Sequence, residues 1–358
     1  MTHRTGTCVD RSDRLEPPNR AMSGTAATAR ANVNVALVKY WGKREPALNL
    51  PATGSISLTL DGLAVEARVA FGAPADRFVI DGAPAEGEEE RRLVRFLDLV
   101  REQAGVREPV LVETTSRVPK GVGLASSAAA FAALALAASR AAGLRLDVAA
   151  LSALARRGSG SASRSIFGGF VEWHRGERPD GLDSVAEPLL APEAWDVRMV
   201  VAVTSTAKKA ISSREGMARA ASSPLYPAWV AGAERDLAEA RAAIRARDLE
   251  ALGAIAEHSA LKMHAIGLAA RPALLYWRGA TVEAIHRVWQ LRADGVPGWV
   301  TIDAGPQVKV LCAPATAPAI ATALAEVPGV VQVITCTPGA GAEVLGCACR
   351  RRRPASCS

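Results

Sequence analysis

Between residues 55 and 116 the chain alternates apolar and polar residues in short runs. The stretches SISLTL (55–60), AVEARVAF (64–71), DRFVIDG (76–82) and PVLVETTS (109–116) carry the period of two that marks half-buried strands, and the Asp-Gly pairs Asp61-Gly62 and Asp81-Gly82 are turn signals. From Glu88 to Ala104 the period changes: Leu93, Phe96, Leu97 and Val100 recur at helical spacing. A helical pattern returns in DVAALSALARRGSGSA (147–162), expected to end near Gly158, and in three alanine- and leucine-rich stretches at about 228–246, 248–265 and 280–293. Further strands are predicted in FGGFVEW, DVRMVVAV (196–203) and VQVITCTP. Strands and helices are intermixed without an internal repeat, which predicts an α+β fold.

Composition narrows the class. A chain of 358 residues with 49% apolar and 22% charged residues has the length for about two domains and the material for a large core. Residues 1–28 are polar, contain prolines and lack periodicity, so a disordered leader is expected there, with order setting in at ATARANVNVALVKYWGK. The partition predicted is a leader at 1–28, an N-terminal domain at 29–195, a C-terminal domain at 196–343 and a disordered basic, Cys-containing tail at 344–358.

The net charge of +7 raises the question of nucleic acid until it is located. Five arginines against three acids fall in residues 1–30, and four more arginines stand at 350–353, so the body between them is close to neutral. That distribution describes solvated ends and predicts no nucleic-acid partner. The N-terminus has no apolar stretch of signal-peptide length, and the longest apolar run, near 128–138, falls short of the ~20 residues that span a bilayer, so a cytoplasmic protein without a membrane partner is expected. Six cysteines form no CxxC pair and should be reduced thiols.

The stretch PKGVGLASSAAA (119–130) joins a predicted strand to an alanine-rich helix through glycines and paired serines. Glycines allow close backbone approach, the first helical turn offers free N–H groups, and the helix dipole favours an anion there. A serine hydroxyl can add a ligand to magnesium. A triphosphate fits this description, although a helix capped by Ser126 and packed through its alanines would read the same way. The stretch is neither a Walker A loop nor GxGxxG.

Three other stretches concentrate chemistry. KYWGK sets Lys39 and Lys43 around an aromatic pair, a setting for phosphate or simply for exposed lysines beside a core tryptophan. SGSASRS brings Ser159, Ser161 and Arg164 together, and SSREGM repeats the combination with Ser212, Ser213 and Arg214. The planar guanidinium fork suits carboxylate or phosphate, and two such clusters point to a substrate anionic at both ends. In TIDAGPQVKV, Asp303 ends a β-branched run before Ala-Gly-Pro, where it could either face a cleft or satisfy turn amides. The five histidines form no ligand pattern, and His258 and His264 read as helix-surface or packing residues.

PKGVGLASSAAA resembles the phosphate loop, P-x-x-x-G-L-x-S-S-A, of the superfamily of galactokinase, homoserine kinase, mevalonate kinase and phosphomevalonate kinase. The stretches 31–60, SGSASRSIFGGFVEW (159–173), KKAISSREGM (208–217) and TIDAGPQVKVLC (301–312) narrow the resemblance to the diphosphomevalonate decarboxylases, over about residues 29–340. It implies two domains: an N-terminal one similar to domain 2 of ribosomal protein S5, and a ferredoxin-like C-terminal one, with the site between them. It implies ATP-dependent decarboxylation of 5-diphosphomevalonate to isopentenyl diphosphate, with ATP and Mg²⁺ as cofactors and a homodimer as the assembly. Pro119, Gly121, Gly123, Leu124, Ala125, Ser126 and Ser127 would hold the ATP phosphates, with Ser127 also on the metal. Asp303, Lys39, Arg164 and Ser127 would be catalytic, Lys39 keeping Asp303 ionised. Tyr40, Lys43, Ser159, Ser161, Arg164, Ser213, Arg214 and the backbone at Met217 would hold the substrate's diphosphate and carboxylate.

The sequence departs from the family pattern at Gln307, where asparagine is usual, and at Ser163, where cysteine is common. Three readings stand at this point: the diphosphomevalonate decarboxylase, a relative acting on the 5-monophosphate or only phosphorylating the 3-hydroxyl, and a non-catalytic nucleotide-binding regulator. The last would be expected to lose Asp303 or a loop serine, and both are present.

Overall fold

A computed structural model describes residues 26–118, 126–207 and 210–346. The alternating runs of the first half assemble into one eight-stranded sheet. Its main path runs Glu343–Leu345, Ala26–Val38, Ser55–Phe71, Val110–Ser116, Arg77–Ile80, Ala83–Pro84. Phe170–Trp173 pairs with the first residues of Ser55–Phe71 and is followed outward by Ala186–Leu190. The pairings are antiparallel except Arg77–Ile80 with Val110–Ser116, which is parallel.

Only one of the two predicted Asp-Gly turns is a turn. Asp81 (φ 50°) and Gly82 (φ 84°) close a hairpin between Arg77–Ile80 and Ala83–Pro84, with the two positive φ angles a tight type I′ reversal needs. Asp61 and Gly62 instead lie inside the single 17-residue strand Ser55–Phe71. There Gly62 (φ 80°) takes part in an irregularity opposite Asn32–Asn34, and the Asp61 N–H donates to the Thr337 carbonyl. Ala26–Val38 runs past both halves and pairs with each, so the backbone is satisfied without reversing.

Two expected boundaries shift: residues 26–28, expected in the leader, belong to the strand Ala26–Val38, and residues 344–345, expected in the tail, belong to the strand Glu343–Leu345. That strand pairs with Thr28–Arg30 and covers the edge of the first sheet. Unpaired edge groups create this demand, which no hydrophobic period in the short segment announces.

Helices Gly87–Ala104, Ser126–Ala141 and Val148–Gly158 pack on this sheet around Ala29, Ala31, Ala67, Val69, Phe96 and Phe131. The alanines of Ser126–Ala141 are almost all buried, and their small size lets the helix lie close to the strands.

The second half forms a four-stranded antiparallel sheet ordered Gly298–Ile302, Val308–Cys312, Arg198–Val203, Gln332–Cys336. With helices between the first and second strands in chain order, and Ala317–Ala325 between the third and fourth, this is the ferredoxin-like βαββαβ order. In Arg198–Val203, Met199 and Val201 face the helices Tyr226–Ala246 and Leu249–Leu268, while Val200 and Ala202 face Gly279–Ala293 and Ala317–Ala325. Both faces are buried, which explains the unbroken apolar run. One cluster joins Val35, Leu37, Ile56 and Leu58 of the first sheet to Met199, Leu237, Ile244 and Leu252 of the second half, so the two walls of the cleft between them share a core.

Candidate active site

A cavity of about 570 Å³ opens between the two sheets. Four of its residues follow the end of Ala26–Val38, where the chain leaves the sheet: Lys39 and Lys43 with Tyr40 and Trp41 between them. A second group, Ser159, Ser161 and Arg164, lies after the helix Val148–Gly158. Ser213, Arg214 and Met217 come from the helix Ser213–Ala220, and Asp303 from the loop between Gly298–Ile302 and Val308–Cys312. Ser127 lines it from the first turn of Ser126–Ala141. All these sequence-predicted residues therefore share one cleft. Pro119, Gly121, Gly123, Leu124 and Ala125, expected at the ATP phosphates, lie outside the described residues.

Asp303 is held by ammonium groups at both oxygens. Lys39 Nζ donates to Oδ1 at 2.7 Å and Lys309 Nζ to Oδ2 at 2.9 Å. Lys39 Nζ also donates to the Ala36 carbonyl at 2.7 Å. Both lysine side chains are buried, whereas 30% of the Asp303 side chain stays open toward the cleft. Burial by itself would raise the Asp303 carboxyl, but the charges of Lys309 and Lys39 outweigh it and hold the group well below the usual carboxylate range. Burial pulls Lys39 down to about 8 against the attraction of Asp303, with Lys309 and Arg164 adding to the fall.

The turn itself is pinned without the Asp303 side chain. Thr204 and Thr281 hydroxyls donate to the Pro306 carbonyl at 2.8 Å, and Gln307 accepts from the Thr204 N–H at 2.6 Å while donating to the Ser205 carbonyl at 2.5 Å. The carboxylate is thus free of the turn-holding task that its sequence position also allowed, and Gln307 takes a structural role.

Arg164 is buried under the cleft floor, donating to Ser55 Oγ at 2.6 Å and Asn34 Oδ1 at 3.0 Å. Asn34 is oriented in turn by bonds from its Nδ2 to the Ser161 carbonyl (3.0 Å) and Ser165 Oγ (2.8 Å). Burial draws the Arg164 guanidinium down to about 10, still a cation at neutral pH. Arg164 Nε and the Tyr40 hydroxyl are buried with no partner among the described residues. Tyr40 packs edge-on against Trp173, and a Cβ at Gly160 would come within 2.8 Å of its hydroxyl, so glycine is required for that approach.

Lys43 donates to Asn49 Oδ1 at 2.5 Å, and burial followed by Arg214 and Arg92 lowers it to about 8. Arg214 stands 3.8 Å from Glu88, which is also shared with Arg91 and Arg95. Against Asp303 and Glu88, the cleft thus gathers Lys39, Lys43, Arg92, Arg164, Arg214 and Lys309. That excess of positive charge suits a polyanion.

Lys309, Asn34, Ser55 and Arg92 were missed in the sequence. A lysine amid VKVLC was the available signal, since a cation in an otherwise apolar strand needs a buried partner. Ser212, grouped there with the ligand-binding hydroxyls, lines the cleft and also caps its helix by accepting from the Glu215 N–H at 3.2 Å. SSRE carries that capping pattern. Of the histidines, His258 is exposed on its helix and His264 is packed on Trp277, as expected. A larger hollow of about 670 Å³, around Asp76 and Arg101, holds no comparable group, because Arg101 is engaged by Asp76 and Asp98.

Two family models match the chain: the diphosphomevalonate decarboxylase-like N-terminal domain over residues 31–186 and the mevalonate 5-diphosphate decarboxylase C-terminal domain over 199–341. The diphosphomevalonate decarboxylase of Ganoderma lucidum is 34% identical over 314 residues, covering 81% of this chain and 78% of that protein. The crystal structure of mevalonate diphosphate decarboxylase from Staphylococcus aureus superposes with a TM-score of 0.85 at 37% identity, over 90% of this chain and 98% of that one. A solved complex of MDDEF with MVAPP, AMPPCP and magnesium gives 0.85 at 39%, over 90% and 99%.

Proposed function

The chain belongs to the diphosphomevalonate decarboxylase family, and on that premise we propose that it converts 5-diphosphomevalonate and ATP to isopentenyl diphosphate, ADP, phosphate and carbon dioxide. The observation that carries this reading is the carboxylate of Asp303, open to the cleft and held ionised between Lys39 and Lys309 beside the buried cation Arg164. A tertiary alcohol cannot lose hydroxide readily, so its oxygen must first be phosphorylated. Asp303 accepts the 3-hydroxyl proton as that oxygen bonds to the γ-phosphorus and ADP leaves with the electron pair of the broken P–O bond. The C3–O bond then breaks with its pair going to phosphate. The C1–C2 pair becomes the new double bond and carbon dioxide departs. Arg164 faces the substrate carboxylate, and Lys43, Tyr40, Ser159, Ser161, Ser213, Arg214 and Met217 line the space for the diphosphate.

The Ser127 hydroxyl, exposed on the cleft wall, is an oxygen donor of the kind magnesium takes, and would hold that ion together with the triphosphate. When bound, the ion screens phosphate charge. Residues 29–195 would supply the nucleotide wall and 196–343 the wall carrying Asp303. Among the described residues no helix is long and apolar enough to cross a membrane, and Cys312 and Cys336 are free thiols. A cytoplasmic location is part of this reading. The homodimer belongs to the same proposal, and light scattering measures it.

A steady-state assay with ATP, Mg²⁺ and either 5-diphosphomevalonate or 5-phosphomevalonate tests the reading. Phosphate and carbon dioxide should appear in equal amounts with the diphosphate substrate. ADP release with a stable 3-phosphorylated product and no gas would replace the decarboxylase by a kinase.

A further inference from the structure

Lys309 lies in the stretch TIDAGPQVKV that located Asp303, where the sequence alone assigns it no role, yet it makes one of the two contacts that define Asp303. We propose that Lys309 is a positioning residue for the reaction: it holds the second carboxylate oxygen of Asp303, fixing the orientation in which that carboxylate meets the substrate alcohol. The inference rests on the decarboxylase reading for what Asp303 does, but its geometry stands on the apo protein alone.

A carboxylate held through one oxygen can still turn about its last torsion, which is broad and roughly two-fold. Lys39 Nζ binds Oδ1, and that single contact would leave Oδ2 to swing. Lys309 Nζ at 2.9 Å from Oδ2 closes the freedom. Its backbone is paired on both sides. Lys309 pairs with Thr301 on one side and Val201 on the other, inside the four-stranded sheet, whereas Lys39 lies just past the end of its strand. Groups set on a strand interior are held more accurately than groups on loops.

Packing does not account for the residue. Lys309 lies between Val308 and Val310, its side chain only 4% exposed, and a buried ammonium is costly unless paired. The partner is Asp303. Lys39, Lys309 and Arg164 also outnumber the one carboxylate by two charges, an imbalance that an anionic substrate relieves.

The test uses Lys309→Met and Lys309→Arg in the full chain, with Asp side chains ¹³C-labelled and Asp303→Asn to assign the signal. Lys309→Met should lower kcat by about 10–100-fold, the usual cost of losing an orienting partner, with KM little changed. It should also move the Asp303 carboxyl titration up toward the ordinary value of about 3.9. Lys309→Arg should recover much of both. A folded Lys309→Met protein with wild-type kcat and an unmoved carboxyl titration overturns the proposal. So does one whose activity falls only with its folded fraction. Should the Met variant not fold, Lys309→Gln is read in the same way. The carboxyl titration needs no substrate, so a wild-type protein inert toward diphosphomevalonate would sink the function while leaving the Lys309 contact to be judged by the titration.

Discussion

Asp303 and Glu172 are both carboxylates placed beside cations inside this protein, and they titrate in opposite directions. Asp303 faces Lys39 and Lys309 and is held far below the usual range. Glu172, on the strand Phe170–Trp173, faces Arg241 at 3.5 Å and His174 at 3.8 Å, and burial raises it all the same. Distance alone does not separate them, since lengthening an ion pair from 2.9 to 3.5 Å weakens its attraction by only roughly a fifth. The difference lies in commitment. Each lysine gives a short charge-assisted hydrogen bond to Asp303 and pairs with no second carboxylate among the described residues, whereas Arg241 also donates to the Glu234 carboxylate and so divides its charge. His174 is likewise shared with Glu187 at 3.0 Å. A buried carboxylate becomes a fixed anion when its cations have no better occupation.

The sharpest way to break the comparison is Asp303→Asn. Removing the charge takes away the proton acceptor, so kcat should fall by about 10²–10⁴-fold in a single-turnover assay. Two buried ammoniums then lose their counter-charge. Thermal unfolding should show a lower Tm, partly recovered as pH rises; because Asp303 is what raises Lys39, its loss moves the Lys39 deprotonation below about 8. Near-normal turnover in a folded Asp303→Asn protein would remove Asp303 from the chemistry.

A smaller effect follows from Lys39 itself. Its folded pKa, about 8, lies below the unfolded value of about 10.4, so between these values the unfolded chain binds more protons. The contribution of this group to stability therefore rises with pH across that window, while activity that needs the ammonium falls as pH climbs through about 8. Lys43 is also lowered to about 8. A pH–rate profile of Lys43→Gln distinguishes the two: the alkaline limb persists if Lys39 carries it and disappears if Lys43 does.

The smallest effect is expected at the other carboxylate. Because burial raises Glu172, its charged form penalises folding once pH exceeds the raised pKa, and Glu172→Gln removes that penalty along with a divided ion pair. Urea unfolding at neutral pH should change by less than about 1 kcal/mol, with turnover untouched. A large loss of stability would show that Arg241 is committed to Glu172 after all.

Much of this was legible in the chain. The periods of two and 3.6 located the helix Gly87–Ala104, the strand Val110–Ser116 and the long helices Tyr226–Ala246 and Leu249–Leu268 to within a few residues, because a buried face must repeat with its element. The hydroxyl and guanidinium clusters at 159–164 and 213–214, and the lone acid in TIDAGP, named most of the cleft, because catalysis and anion binding draw on few residue types. What tertiary structure alone decided is where long-range partners meet. Asp61-Gly62 looked like a turn until a neighbouring strand paired past it, and Glu343–Leu345 became a strand only because the first sheet had an edge to cover. Lys39 meets Asp303 across 264 residues of sequence, and whether that carboxylate serves a turn or a cleft depends on Thr204 and Thr281, which hold the Pro306 carbonyl of the turn, and on Lys309, which holds the carboxylate, all brought there only in the folded chain. Local pattern specifies an element through its own neighbours in sequence. The charge state of a buried group is set by its neighbours in space, and these exist only once the two sheets have packed.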